Sequence, residues 1–152
     1  MRTVWLALGS NLGDREGYLR GAIEGLQRAG LRLLRQSRVA ETEPVGIRDQ
    51  PRFLNQVVEA TTTMEPRDLL TAIKSLEREL GRTPGARWGP RAIDIDILLY
   101  GRRIVDEDGL RIPHPELTHR AFLLELLAEV DPQLLEPVSG ETMSRLLARA
   151  PS

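Results

Sequence analysis

An α+β sandwich is the fold class that this sequence predicts, and two observations predict it. Strand-like and helix-like patterns follow one another as strand, helix, strand, strand, helix, strand, which is the split βαβ order. Apolar residues also occupy every second place at Ile93, Ile95, Ile97 and Leu99, the mark of a half-buried strand. Together they describe a ferredoxin-like βαββαβ sandwich, to which the sequence adds a C-terminal hairpin and helices.

Thr3–Leu8 reads as the first strand. Gly9–Asp14 follows, and a helix runs from about Arg15 to Ala29 with Tyr18, Leu19, Ala22, Ile23 and Leu26 on one side. A glycine-rich turn after a strand invites a phosphate-loop reading. The Lys–Ser/Thr ending is missing, however, and Gly9 and Gly13 do not fit the dinucleotide fingerprint. A turn with Asn11 or Asp14 capping the helix accounts for the same letters. Gly30 ends the helix.

Leu31 to about Thr42 reads as one extended segment, and Glu43–Pro51 as a loop too long for a tight hairpin. Phe53–Thr63 resumes as a strand whose alternation puts Phe53, Asn55, Val57 and Glu59 on one face. Pro66 suits a first helical turn; Leu69, Ile73, Leu76 and Leu80 form the buried stripe, and Gly81 closes the helix. Glu77, beside that stripe near the C-terminal end, gains nothing from the helix dipole and reads as a solvated acid. After Tyr100, Arg102–Val105 and Leu110–Ile112 form a small hairpin around Asp106–Gly109, stopped by Pro113–His114–Pro115. A helix from about Thr118 to Val130 and a short one from Glu141 to about Arg149 complete the chain.

The 152 residues have the length of one ordinary domain, expected to span 1–152, and 41% hydrophobic content supplies one core. A formal net charge of −1 removes the global basic field of a non-specific nucleic-acid binder. With no cysteine, disulfides and thiolate metal sites are excluded. No signal peptide or bilayer-spanning stretch is legible, so a cytoplasmic location is expected.

Asp94 and Asp96 are two apart on the Ile93–Leu99 strand, so both carboxylates leave the sheet on one face. At roughly 6–7 Å, two unit charges repel by about 0.6 kcal/mol in water and about 2.5 kcal/mol at an effective dielectric near 20. A cation between them removes that cost, and Mg²⁺ suits hard oxygen ligands of which one or two are carboxylates. An open strand face bearing two acids is the plainer alternative. Arg87, Trp88 and Arg91 precede the pair, guanidinium forks favour phosphate oxygens, and Gly89–Pro90 restrict the loop. Metal ligands beside phosphate ligands suggest metal-assisted phosphoryl chemistry.

Arg87–Trp88–Gly89–Pro90–Arg91 followed by Asp94–Ile95–Asp96 resembles the signature of the 6-hydroxymethyl-7,8-dihydropterin pyrophosphokinases of folate synthesis. The likeness extends to Leu8–Gly13, Thr42 with Pro44–Val45–Gly46, Phe53–Leu54–Asn55, Glu77 with Gly81–Arg82, and Ile112–Pro113–His114 with Arg120–Ala121–Phe122. The resemblance implies transfer of pyrophosphate from ATP to the pterin's hydroxymethyl oxygen, with release of AMP. It implies two Mg²⁺ ions on Asp94 and Asp96, and catalytic phosphate contacts from Arg82 and Arg91.

Lys74, Glu77, Arg82, Trp88, Arg91, Ile97, Arg111, His114 and Arg120 match ATP-binding positions. Thr42, Val45, Gly46, Phe53, Asn55, Trp88, Asp94 and Phe122 match pterin-binding positions, with Phe53 and Phe122 as the stacking pair. Simple core packing is the alternative for Phe122, a loop position between prolines for His114, and a loop anchor for Trp88. After Arg82 the chain carries Pro84–Gly85 where some relatives carry further basic residues. The expected partners are ATP and the pterin, with no nucleic acid or membrane, acting on a monomer. Two rival readings remain from the residues alone: another Mg²⁺-dependent phosphoryl or nucleotidyl transferase, and a single-strand nucleic-acid module on the same kind of sheet.

Overall fold

The computed structural model describes residues 1–42, 51–81 and 92–150 of the chain. Five strands form the main sheet: β2 (Arg32–Gln36), β4 (Phe53–Thr62), β1 (Arg2–Ser10) and β5 (Asp94–Tyr100) lie side by side in that order, and β3 (Ala40–Thr42) also pairs with β4. Every pairing is antiparallel. The four described helices are α1 (Arg15–Arg28), α2 (Pro66–Leu80), α3 (Ala121–Val130) and α4 (Met143–Arg149), and β6 (Val105–Glu107) with β7 (Leu110–Ile112) makes a separate hairpin.

Alternation along the two central strands divides the core in two. Val4, Leu6 and Leu8 of β1 and Leu54, Val58 and Ala60 of β4 pack with α1 and α2. Trp5 and Val57, on the other face, pack with Leu123, Leu124 and Leu127 of α3 and Met143 of α4. The C-terminal helices therefore cover the face that α1 and α2 leave bare. Burying a leucine-sized side chain contributes about 1.5–3 kcal/mol, so both faces require this cover.

The helix boundaries follow the expected chemistry. Asp14 is the N-cap of α1, its Oδ1 accepting the Gly17 N–H at 3.1 Å, and Gly13 and Gly30 hold positive φ angles of 66° and 102°. The cap falls on Asp14, one of the two residues expected for it, whereas Gly9 and Ser10 continue β1 past the Leu8 expected to end it. Pro66 opens α2 and Gly81 caps its end, where an added Cβ would lie 2.8 Å from the Glu77 carbonyl oxygen.

Other expectations are corrected. Leu31–Thr42 is not one strand: Ser37 breaks it by donating its N–H to Val57 O at 2.8 Å and accepting the Val57 N–H on Oγ at 2.9 Å. A side chain there takes the place of a ladder partner. The hairpin strand begins at Val105 rather than Arg102, leaving a turn at Asp108–Gly109 with Gly109 at φ 76°. The helix expected from Thr118 starts at Ala121, because Arg120 is extended at φ −119°, ψ 102°. Finally, the alternation of β5 does not run through Leu99. The register passes from Leu6↔Ile97 to Trp5↔Leu99, so Leu98 is an inserted residue and Leu99 joins the α3 side of the core.

Candidate active site

The C-terminal end of β1 and the N-terminal ends of β4 and β5 come together at one end of the sheet. Gly9 is in register with Asn55 on one side and Asp94 on the other, and Ala7 likewise with Val57 and Asp96. Two small residues thus make a low floor between an amide and two carboxylates, on the face that α3 packs against. An added Cβ on Gly9 would lie 3.2 Å from Asn55 Oδ1 and 3.7 Å from Phe53 Cδ1. Gly9 is a site residue that the sequence reading assigned to a turn; a glycine ending a strand is itself a signal of close approach.

A cavity of about 410 Å³ stands on this floor, bounded by Phe53, Asn55 and Thr42 on one side and Phe122 and Arg120 on the other. Asn55 Nδ2 donates to Thr42 Oγ1 at 2.5 Å, which ties β4 to β3. A second cavity of about 400 Å³ lies past the edge strand β5, between Lys74 of α2, Ile97 of β5 and Arg111 of β7. Asp96 and His114 line both cavities. They are the common wall.

His114 is fixed at that wall by its neighbours. Its N–H donates to Leu98 O at 3.0 Å, and its Nδ1 accepts the Glu116 N–H at 3.1 Å. The remaining ring nitrogen, Nε2, lies 3.9 Å from Asp96 Oδ1. Asp96 is half exposed and Asp94 partly buried, so both carboxylates are held by a strand whose other face is core.

Glu77 departs from the solvated acid expected of it. Its side chain is 15% exposed; Oε2 accepts the Ile95 N–H at 2.8 Å and Oε1 pairs with Lys74 Nζ at 3.1 Å. It therefore sits behind β5 and lines neither cavity. Arg120, expected among the ATP positions, lines the first cavity together with Phe122.

Among the described residues, no three of His, Asp and Glu cluster as metal ligands. Two carboxylates suffice for Mg²⁺, which fills its remaining positions with water and phosphate oxygens, so the donors present fit such an ion brought with a nucleotide. Val45 and Gly46, and likewise Arg82, Trp88 and Arg91, lie outside the described residues.

Comparison with known proteins decides what this arrangement belongs to. The profile of the 7,8-dihydro-6-hydroxymethylpterin-pyrophosphokinases matches residues 5–132. The chain belongs to that family. The family member of Bacillus subtilis, a 2-amino-4-hydroxy-6-hydroxymethyldihydropteridine pyrophosphokinase, is 46% identical over 141 residues, covering 91% of this chain and 84% of that protein. The pyrophosphokinase of Pseudomonas aeruginosa is 40% identical over 152 residues, 99% of this chain and 93% of that protein. The fold is shared with wild-type Plasmodium falciparum HPPK-DHPS, with a TM-score of 0.77 over 97% of this chain at 16% identity. This pyrophosphokinase-family chain spans 44% of that longer one.

Proposed function

We propose that the first cavity receives the dihydropterin and the second receives ATP, with pyrophosphate passing between them over the Asp96–His114 wall. The reaction is that of the family: pyrophosphate moves from ATP to 6-hydroxymethyl-7,8-dihydropterin, giving the pterin diphosphate and AMP in folate synthesis. The observation that carries the site assignment is that, among the described residues, two cavities of similar size meet at Asp96 and His114. A bisubstrate transfer needs this adjacency, because the reacting oxygen and phosphorus must come within about 3–3.5 Å.

Each side of the wall has the chemistry for its substrate. A pterin is flat and presents a polar edge; Phe53 and Phe122 supply rings for its faces, and Asn55 with Thr42 supplies donors and acceptors for its edge. In the second cavity Lys74 and Arg111 offer cations for a triphosphate, beside the Ile97 backbone that suits a nucleotide. His114, whose Nε2 lies beside Asp96, stands at the boundary where the transferred group would pass, and Arg120 lines the pterin side. Arg82 and Arg91 are assigned to the phosphates, and Val45, Gly46 and Trp88 to the pterin, on the family's motif alone.

Asp94 and Asp96 would hold two Mg²⁺ ions. When bound, Mg²⁺ supplies charge neutralisation along the triphosphate and favours in-line displacement. The chain's own part is to hold those carboxylates on a rigid strand and to keep the two substrates on opposite sides of Asp96. In the transfer the hydroxymethyl oxygen forms a bond to the β-phosphorus, the bridge between α- and β-phosphates breaks, and the hydroxyl proton is lost.

The strand order β2–β4–β1–β5 with α1 and α2 on one face supports a ferredoxin-like arrangement, extended by α3 and α4. A single domain over 1–152, a monomer and a cytoplasmic location complete the reading. No helix of the described residues is long and apolar enough to cross a membrane.

The test is nucleotide release with the pterin first omitted and then added. AMP should appear only with the pterin and Mg²⁺, and Asp96→Ala should reduce the rate by at least about a hundredfold. Release of ADP, or full turnover by the variant, would overturn the assignment.

A further inference from the structure

The two walls of the first cavity belong to elements far apart in sequence. Phe53 and Asn55 stand on β4, whereas Phe122 stands in the first turn of α3. That turn has no side-chain cap on its N-terminus, since Arg120 is the N-cap and makes no capping hydrogen bond. An uncapped first turn is the part of a helix most given to fraying. Leu123 and Leu124 seat the inner face of that turn on the sheet, and a second contact bears on how far its outer face stands from β4.

One side chain spans the gap. Arg38, in the connection between β2 and β3, donates from its two terminal guanidinium nitrogens to Glu125 and Glu129 of α3, and its backbone N–H donates to Glu129 Oε2 at 2.5 Å. Phe122, Glu125 and Glu129 are spaced i, i+3 and i+7, so the ring and both carboxylates lie on one helix face. The residue before Arg38 is attached just as firmly to the opposite wall. Ser37 exchanges two hydrogen bonds with Val57, and its carbonyl accepts from Gln56 Nε2 at 2.9 Å. Contacts therefore run without a break from β4 through Ser37 and Arg38 to α3. The guanidinium beside the two glutamates is held above its ordinary pKa, and Glu129 below its own.

We infer that Arg38 is a positioning residue for pterin recognition: its clamp on Glu125 and Glu129 sets how far the Phe122 wall stands from the Phe53–Asn55 wall. The inference rests on the assignment of the pterin to the first cavity. An ordinary surface ion pair would leave substrate affinities alone, and the side chains are indeed partly exposed. What distinguishes this one is its attachment, through backbone at Arg38 and Ser37, to both sides of one cavity.

The experiment compares Arg38→Met, Arg38→Lys and Phe122→Ala with the parent enzyme, measuring KM for each substrate. Arg38→Met should raise the pterin KM by about threefold to tenfold with the ATP KM changed less than about twofold. Arg38→Lys, which keeps one charged contact, should recover part of the loss. Phe122→Ala should raise the pterin KM whatever Arg38 does. If it does not, the cavity assignment fails, and the inference with it. If Phe122→Ala raises it and Arg38→Met does not, or if both substrates weaken together, the clamp alone is refuted. A second measurement needs no turnover. The chain holds only two phenylalanines, so fluorophenylalanine labelling gives one NMR signal for each wall. Arg38→Met should shift or broaden the Phe122 signal in the free protein, and an unchanged signal would overturn the proposal.

Discussion

Removing the Glu77 carboxylate tests whether β5 is held from behind. The strand is an edge: β1 occupies one side, and the Ile95 N–H on the other side is satisfied by Glu77 Oε2 at 2.8 Å. Glu77→Ala leaves that N–H without its acceptor, a loss of about 1–3 kcal/mol for a buried donor. Because the side chain is 15% exposed, water reaches part of the space and the lower half of that range applies. Loss of the Lys74 pair adds little, as Lys74 is 55% exposed. About 1.5 kcal/mol corresponds to a melting temperature lower by about 3–6 °C in a chain of this size. Glu77→Gln keeps an acceptor oxygen and should stay within about 0.5 kcal/mol of the parent. Thermal denaturation reads the stability, and hydrogen exchange should show the Ile95 amide slow in the parent and fast in the alanine variant. Since Asp94 and Asp96 flank Ile95, the alanine variant should also need more Mg²⁺ for AMP release. Two results would refute the reasoning: an alanine variant that melts with the parent, or a glutamine variant that falls as far as alanine.

Three further outcomes are expected. Gly9→Val should raise the pterin KM strongly while leaving the ATP KM nearly unchanged, because even its Cβ meets Asn55 Oδ1 at 3.2 Å and the branch methyls extend over the floor; equal losses for both substrates would count against the floor. Glu59→Ala should cost about 1–3 kcal/mol in chemical denaturation without altering either KM. It strands Trp5 Nε1, which donates to Glu59 Oε2 at 2.9 Å, and releases Arg35, at the end of β4 away from the cavities. Glu129 is held below its ordinary pKa chiefly by the Arg38 backbone N–H, then by the Arg38 side chain. A carboxylate with a depressed folded-state pKa stabilises the fold above its unfolded value and loses that contribution as pH falls through the folded one. The stability gap between the parent and Glu129→Gln should therefore be present at pH 7 and shrink progressively as the pH falls below the ordinary glutamate value of about 4.3; a gap that stays constant or widens on acidification would contradict it.

Periodicity made most of the elements legible, because burial of one face imposes a period that the residues themselves carry. The Phe53–Asn55–Val57–Glu59 face is an instance: the first two line a cavity, Val57 enters the α3 core and Glu59 bonds Trp5. What stayed hidden depends on partners far along the chain. Glu77 reads as solvated because its acceptor role is toward a backbone N–H eighteen residues later, a group that every residue but proline possesses. Arg38 gives no sign of its grip on Glu125 and Glu129, since nothing local brings α3 to the β2–β3 connection. The residues that the family motif marks most densely, from Arg82 to Arg91, lie outside the described structure.

The common wall between the cavities shows how such a hidden feature sets the site. On a regular edge strand alternate residues face outward, so with the Ile95 N–H directed to Glu77, the carbonyl of Leu98 should face β1. The residue inserted between the Leu6↔Ile97 and Trp5↔Leu99 pairs breaks that alternation, and Leu98 O accepts the His114 N–H at 3.0 Å instead. That bond brings the His114 turn against β5 and leaves Nε2 facing Asp96. A period-two reading from Ile93 to Leu99 assigns Leu99 to the wrong core because an insertion shows only against a partner strand. The same insertion gives β5 the outward carbonyl by which His114 is joined to the aspartates, so the departure from the pattern is part of how the two cavities come to share a wall.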